Sequence, residues 1–154
     1  MHFTRLTPLV LVLMSFSFIG CSSSPRAQKS INFTKVYVES PQTSDSSNVV
    51  QFNSTVVETA EGELRSHGYT VTQSKADADA TLRSTWRISN NGNNMRRDEV
   101  SITLSMSLFN KQGQRVFSGD SGSAVPMSFW SVAKTATAVD SILSQLPVAT
   151  APAK

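Results

Sequence analysis

The sequence predicts an α+β fold with the element order β-α-β-β-β-α, in which a mostly antiparallel sheet carries two helices on one face. Residues 49–67 and 128–146 repeat apolar side chains at every third or fourth position, a spacing typical of a one-sided helix. Residues 100–109 alternate strictly between apolar and polar side chains, which indicates a strand with one buried and one wet face. A sheet and two helices that are each apolar on one side pack as two layers around a single core.

The first half of the predicted domain contains a strand, a helix and two more strands. The first strand covers residues 33–39, and a polar segment connects it to the helix of residues 49–67. The apolar stripe of that helix comprises Val49, Phe52, Val56, Ala60 and Leu64. Gly68 ends the helix, since glycine adopts the positive φ of a helix C-terminus without steric cost. Strands follow at residues 69–74 and 80–88.

The second half begins with a hairpin. Its first strand is the alternating segment of residues 100–109, and its second strand covers residues 115–121. Residues 110–114 connect the two strands, and Gly113 in this loop is free to adopt a positive φ.

The predicted domain closes with the helix of residues 128–146. Pro147 ends this helix because proline cannot continue the helical hydrogen bonding. Residues 148–154 are predicted as a disordered tail. A single domain is therefore expected over residues 31–147.

The chain begins with the pattern of a secretory signal peptide, predicted for residues 1–20. A basic start that contains Arg5 is followed by an apolar run, residues 6–18, and by a small residue, Gly20. As a helix this run would span about 20 Å, which is shorter than the roughly 30 Å hydrocarbon core of a bilayer. The pattern therefore favours a cleaved signal peptide over a membrane-spanning helix.

The motif Phe18-Ile19-Gly20-Cys21 spans the end of the predicted signal peptide and contains the only cysteine of the chain. This motif resembles the lipobox of bacterial lipoproteins, and the resemblance implies cleavage between Gly20 and Cys21, lipid attachment to the Cys21 thiol and acylation of the new amino terminus. Ser22 stands where an inner-membrane retention signal has aspartate. The resemblance thus implies the inner leaflet of the outer membrane of a Gram-negative bacterium, with the domain facing the periplasm. A secreted protein with a free thiol and an inner-membrane anchor are the alternatives.

Residues 21–30 are predicted as the acylated cysteine and a flexible tether, because the segment is rich in serine and contains Pro25. Fully extended, such a tether reaches about 30 Å. One acyl chain binds a bilayer only reversibly, whereas the three chains implied by the lipobox would hold the domain at the membrane permanently.

Three segments of the predicted domain resemble the DUF4136-type envelope lipoproteins, and one of them is the hairpin of residues 102–119, which is similar to a later hairpin of that family. Leu64-Arg-Ser-His-Gly68-Tyr69, followed by Ala76-Asp-Ala-Asp79-Ala80, is similar to the helix end and the following strand start of that family. Residues 138–147 are similar to its closing helix, which ends at an apolar residue followed by proline. The resemblance implies a domain without known activity, so it transfers no functional residues. The element order is also similar to that of the lipoprotein that plugs the lipopolysaccharide-transport barrel and to accessory lipoproteins of envelope transporters.

Composition excludes several kinds of site. Removal of the signal peptide lowers the 14 basic residues to 13, against 11 acidic residues, and no basic run contains interleaved aromatics, so a nucleic-acid partner is not expected. One cysteine excludes a disulfide framework and a multi-thiolate metal site. The two histidines, His2 and His67, are too few for a histidine-rich metal site, and no metal or cofactor is predicted.

Three features admit a catalytic interpretation, and each has a structural alternative. His67 could act as a base, but its place at the end of a helix suits an interaction with the helix dipole. Asp77 and Asp79 could form half of a calcium loop, but the remainder of that pattern is missing from the sequence, which favours a polar turn. Ser121 lies in Gly-Asp-Ser-Gly, a context similar to that of serine-protease nucleophiles, but a hairpin exit explains the same residues. The domain is therefore not expected to be an enzyme.

Four arginines mark the predicted partner surface. Arg83 and Arg87 lie on the wet face of the strand at residues 80–88, and Arg96 and Arg97 follow an asparagine-rich loop. Ordinary solvated surface is the alternative for both regions. An envelope protein or peptidoglycan is the expected class of partner.

Overall fold

The computed structural model describes residues 31–43, 48–90 and 100–149. The strands in these residues are β1 (Lys35–Val38), β2 (Gln42–Thr43), β3 (Thr70–Thr72), β4 (Ala80–Asn90), β5 (Val100–Asn110), β6 (Arg115–Asp120) and β7 (Val125–Pro126). The α-helices are α1 (Asn53–Ser66) and α2 (Val132–Leu143), each preceded by a 3-10 turn, at Asn48–Phe52 and Met127–Phe129. The predicted α+β class is confirmed. In the described residues, neither helix combines the length and the apolar character needed to cross a bilayer.

The strands form one mixed sheet in the order β3-β1-β4-β5-β6. Strand β1 pairs in parallel with both β3 and β4, whereas β5 pairs antiparallel with β4 and β6. The short strands β2 and β7 continue the sheet beside β4 and β5 where β1 and β6 have ended. These two strands were not predicted, because their pairing depends on the free backbone of a neighbouring strand and not on any local alternation.

The core lies between one face of the sheet and both helices, as predicted. Alternate residues of the long strands are buried on this face, namely Ala80, Leu82, Ser84, Trp86, Ile102, Leu104, Met106 and Leu108. The buried stripes of the helices join the same core with Val56, Ala60, Leu64, Val139, Ile142 and Leu143. The strict period of two in the strands therefore sorts apolar and polar side chains onto opposite faces of the sheet.

Both helices begin later than their apolar spacing predicts. Val49 and Phe52 are buried, but they belong to a 3-10 turn, whose three residues per turn align positions three apart just as well. The second helix begins at Val132 because Ser131 has an extended backbone and its Oγ accepts a hydrogen bond from the Lys134 amide at 3.2 Å. An N-cap of this type fixes the first turn of a helix.

The segment after α2 packs against the end of α1. Gly68 ends α1 with a φ of 84°, as predicted. The Tyr69 hydroxyl donates to the Pro147 carbonyl oxygen at 2.8 Å, and His67 Nδ1 lies 2.9 Å from the Leu146 carbonyl oxygen. The Ala149 amide donates to the His67 carbonyl oxygen at 2.9 Å, so the chain remains attached to α1 beyond the end of the predicted domain.

The sheet has two ends, which we call the near end and the far end. Strand β4 begins at Ala80 opposite Asn110 and finishes at Asn90 opposite Val100, so about 33 Å separates the near end from the far end. Because β1 runs parallel to β4, the residues that precede β1 lie at the near end, with Ile31 close to Asn110. The described chain therefore begins at the near end.

Candidate functional site

The polar face of the sheet is the side that faces away from the helices. Strand β4 contributes Thr81, Arg83, Thr85 and Arg87 to it, and β5 contributes Thr103, Ser105, Ser107 and Phe109. Arg83 and Arg87 are exposed on this face. The sequence predicts both as parts of one partner surface, but the structure gives them different surroundings.

Arg83 is held by contacts on two sides. Its Nε lies 3.0 Å from Glu39 Oε2, and its Cζ lies 5.0 Å from the centroid of the Phe109 ring. Register explains the second contact, because Thr81 faces Phe109 across the β4–β5 ladder and Arg83 is therefore the diagonal neighbour of that ring. The attraction of a cation for a ring face favours this position.

Glu39 joins Arg83 to a second cation. Its Oε1 accepts a hydrogen bond from Lys75 Nζ at 2.6 Å. That hydrogen bond, together with the positive charges of Lys75 and Arg83, outweighs partial burial and lowers the pKa of Glu39 from its ordinary value. The carboxylate consequently stays ionised near neutral pH and fixes both cations.

A pocket of 390 Å³ opens beside this ion-pair group. The charged and aromatic side chains that line it are Lys75, Asp79, Arg83, Phe109 and Lys111. Lys111 Nζ lies 3.4 Å from Asp79 Oδ1, so the carboxylate that lines the pocket is also paired. We call this cavity the Arg83 pocket.

The Arg83 pocket lies at the near end of the sheet. It shares Asp79, Asn110 and Lys111 with an adjoining cavity of 360 Å³ that is also lined by Ile31 and Phe33. The start of the described chain and the Arg83 pocket are therefore neighbours.

The remaining predicted surface arginines do not join this pocket. Arg87 is exposed further along β4, opposite Thr103, and has no ion pair with any described residue. Arg96 and Arg97 lie outside the described residues, as do Gly20 and Cys21. The lipid attachment, the signal cleavage site and the tether thus stay predictions.

The candidate catalytic residues lie apart from one another. His67 is at the near end, with Nδ1 against the Leu146 carbonyl oxygen and Nε2 4.0 Å from Glu63 Oε2. Ser121 follows β6 beside the middle of β5, where its Oγ accepts a hydrogen bond from the Leu104 amide at 3.1 Å. The structure therefore assigns both side chains a contact within the fold and does not bring them together.

The sequence predicts Arg83 as a surface residue of the site. It does not predict the other members of the site, which are Glu39, Lys75, Phe109 and Lys111. Glu39 reaches Arg83 because β1 runs parallel to β4, and no alternation in the sequence reports that pairing. Of these four residues, only Phe109 has a signal in the sequence, because the strand alternation places it on the wet face, where an aromatic residue is unusual.

Comparison with known proteins gives a fold and no family. No family model matches the sequence, and no curated protein matches it. The PelC dodecamer from Paraburkholderia phytofirmans has a similar structure, with a TM-score of 0.50 at 17% sequence identity over 79% of this chain and 95% of that chain. The lipoprotein GNA1162 from Neisseria meningitidis is less similar, with a TM-score of 0.43 at 13% identity over 73% of this chain and 97% of that chain. At such identities a likeness concerns the fold alone, and the resemblance to DUF4136-type lipoproteins stays a prediction.

Proposed function

We propose that this chain is a lipid-anchored protein of the bacterial envelope, and that its domain binds a partner through the polar face of the sheet. The lipobox-like motif that ends on Cys21 supports the anchor. Ile31 is only 3% exposed and belongs to the core, which supports its assignment to the domain.

The Arg83 pocket is the observation that carries the binding function. It combines Arg83 and Phe109 of the polar face with two lysines, Lys75 and Lys111, from segments at the near end of the sheet. Convergent polar groups beside an aromatic wall are typical of ligand sites. The pocket also lies beside Ile31, so the tether would hold it within about 30 Å of the membrane.

A binding domain accounts for this chemistry better than an enzyme. Glu39 is fixed between Lys75 and Arg83 with a lowered pKa, so it is a poor proton carrier near neutral pH. The Ser121 hydroxyl accepts a hydrogen bond from the Leu104 amide, whereas the His67 ring contacts the Leu146 carbonyl oxygen, so these contacts do not pair a nucleophile with that base.

The proposed location is the inner leaflet of the outer membrane, with the domain in the periplasm. Ser22, which follows the cysteine, supports this location, since serine lacks the acidic character of an inner-membrane retention signal. The expected partners are the membrane itself, through the N-terminal acyl chains, and an envelope protein or peptidoglycan.

Membrane fractionation tests the anchor. Wild-type protein should sediment with outer membranes. Cys21→Ala should prevent lipid attachment and with it outer-membrane fractionation, and globomycin, which blocks cleavage of the lipidated precursor, should leave the uncleaved precursor at the inner membrane. A Ser22→Ala variant is the matched control and should fractionate like the wild type. An acylated, outer-membrane-bound Cys21→Ala protein would contradict the proposal.

A second candidate function is an accessory or plug subunit of an envelope transport machine. The similar structure from Paraburkholderia is a dodecamer, and this chain covers 95% of it, which supports an oligomeric assembly of the same fold. Mass photometry of the detergent-solubilised full chain should then show a discrete oligomer. A monomer that crosslinks in cells only to bulk lipoprotein and peptidoglycan would contradict this candidate.

A further inference from the structure

We propose that the Arg83 pocket binds a phosphodiester anion, the group carried by phospholipid headgroups; this inference rests on the proposed binding function and adds its ligand chemistry. Three features of the pocket point to this group. They are the prepared geometry of Arg83, the net charge of the lining side chains taken together with their ion-pair partner Glu39, and the position of the pocket relative to the tether.

The contacts of Arg83 leave one edge of its guanidinium group available. Glu39 forms an ion pair with Nε, and the guanidinium carbon Cζ lies over the Phe109 ring. Among the described residues, no acceptor engages the two terminal nitrogens, Nη1 and Nη2. These nitrogens form a fork that donates two parallel hydrogen bonds to two oxygens of one anion. The side chain is therefore oriented before any ligand arrives.

The charge of the pocket suits an anion with a single negative charge. Its cations are Lys75, Arg83 and Lys111, and they pair with two carboxylates, those of Glu39 and Asp79. One positive charge remains uncompensated. A phosphodiester carries one negative charge on two non-bridging oxygens, so it matches both the charge and the fork, whereas a phosphate monoester brings nearly twice that charge.

Position favours a phosphodiester over a carboxylate, the other common monoanion with two oxygens. The pocket shares a wall with the cavity lined by Ile31, where the described chain begins. Residues 22–30 would connect that point to the acylated Cys21 at the bilayer surface. Phospholipid headgroups are the most concentrated monoanionic oxyanions within that distance.

The direct test titrates the full chain, purified in non-ionic detergent, with glycerophosphoglycerol, a soluble phosphodiester. Binding is followed by amide chemical shifts of residues around the pocket. Arg83→Gln should weaken binding about tenfold, since it removes the two hydrogen bonds that the charged guanidinium group donates to the anion. Arg83→Lys should also weaken it, because lysine lacks the fork. Arg87→Gln on the same face is the control and should stay within about twofold of the wild type.

A second arm identifies the source of the phosphodiester. The acylated protein is placed in nanodiscs of phosphatidylcholine, with or without phosphatidylglycerol, and titrated with the same probe. Both lipids carry a phosphodiester, so an apparent affinity below the value in detergent assigns the pocket to lipid headgroups, and an affinity equal to that value assigns it to a soluble phosphodiester; both results support the proposal.

Three results would overturn it: no saturable binding of glycerophosphoglycerol, equal losses in the Arg83→Gln and Arg87→Gln proteins, or glucuronate binding at least as tightly as the diester. A thermal melt of each variant confirms that it is folded. Because the Arg83 substitutions leave Cys21 intact, failure here is distinguishable from failure of the anchor, which fractionation reports separately.

Discussion

The indole rings of Trp86 and Trp130 meet edge to face, with their centroids 5.2 Å apart and their planes at 87°. Trp86 belongs to β4, and Trp130 stands between the 3-10 turn Met127–Phe129 and α2. Trp86 Nε1 also donates to the Asn53 side-chain oxygen at 3.0 Å, at the start of α1. One aromatic pair thus joins the sheet to the beginnings of both helices.

Truncation of Trp130 should therefore destabilise the whole domain. Trp130 is 7% exposed, so Trp130→Ala should lower the free energy of unfolding by about 3–5 kcal/mol, as measured by urea denaturation. Phe129→Ala is the matched control, because the neighbouring Phe129 is 66% exposed and its loss should change stability by less than about 0.5 kcal/mol. Equal losses in the two variants would show that the aromatic pair has no special role.

The hydroxyl of Tyr69 stabilises the fold in a pH-dependent way. Burial raises the pKa of Tyr69 to about 12, whereas the unfolded chain has the ordinary value of 10.0. Because the unfolded state ionises first, the contribution of this group is complete below pH 10 and is lost as the pH rises toward 12.

Tyr69→Phe should lower stability by about 1 kcal/mol at pH 7, because it removes the hydrogen bond to the Pro147 carbonyl oxygen. The difference between wild type and variant should shrink as the pH rises from 10 to 12. Denaturation curves at several pH values measure it, and a difference that stays constant across this range would contradict the account.

The Glu39 ion pairs should make the stability of the domain depend on pH in the acidic range as well. Glu39→Gln should reduce the free energy of unfolding by about 0.5–1 kcal/mol at pH 7, since it breaks the partly exposed pairs with Lys75 and Arg83. The pKa of Glu39 is lowered in the folded state, so this effect should persist above the ordinary value of 4.5 and disappear as the pH falls through the lower folded value.

The control for Glu39 is Glu58→Gln on the exposed side of α1. This substitution should change the stability by less than about 0.5 kcal/mol at neutral pH. If both variants show the same pH profile, the ion-pair group around Arg83 does not form in solution.

Two glycines should respond to alanine in opposite directions. A Cβ at Gly119 in β6 would lie 2.9 Å from Ile142 Cγ2, so Gly119→Ala should destabilise the contact between α2 and the sheet by about 1–3 kcal/mol. Gly62 lies within α1 with no atom within 4 Å of the added Cβ, so Gly62→Ala should raise stability by about 0.5–1 kcal/mol. Thermal melting of both variants checks the signs, and a neutral Gly119→Ala protein would contradict the close approach of α2.

The long hairpin and the two helices could be predicted because local periodicity decides them. The alternation at residues 100–109 fixes which face of β5 is buried, and Leu104 and Met106 lie in the core as that pattern requires. The parallel pairing of β1 with β3 and β4 could not be predicted in the same way. That pairing depends on where α1 returns the chain to the sheet. Strands as short as β1 and β3 contain no sequence pattern that specifies which strands lie beside them.

The candidate site shows the same division. Arg83 could be placed on the wet face from alternation alone. Its partner Glu39 precedes α1 in the chain, whereas Arg83 follows that helix, and Lys75 lies in a 3-10 turn. Only the assembled sheet therefore brings these charges within hydrogen-bonding distance. Such a site consists of contacts between distant segments, which a linear pattern does not contain.

Mass spectrometry of the amino-terminal peptide, from protein purified out of the membranes of the producing bacterium, tests the central claim most directly. The account predicts that the mature chain begins at Cys21, with a diacylglyceryl group on its thiol and an acyl chain on its amino group. An amino terminus elsewhere, or an unmodified Cys21 in the mature protein, would contradict it.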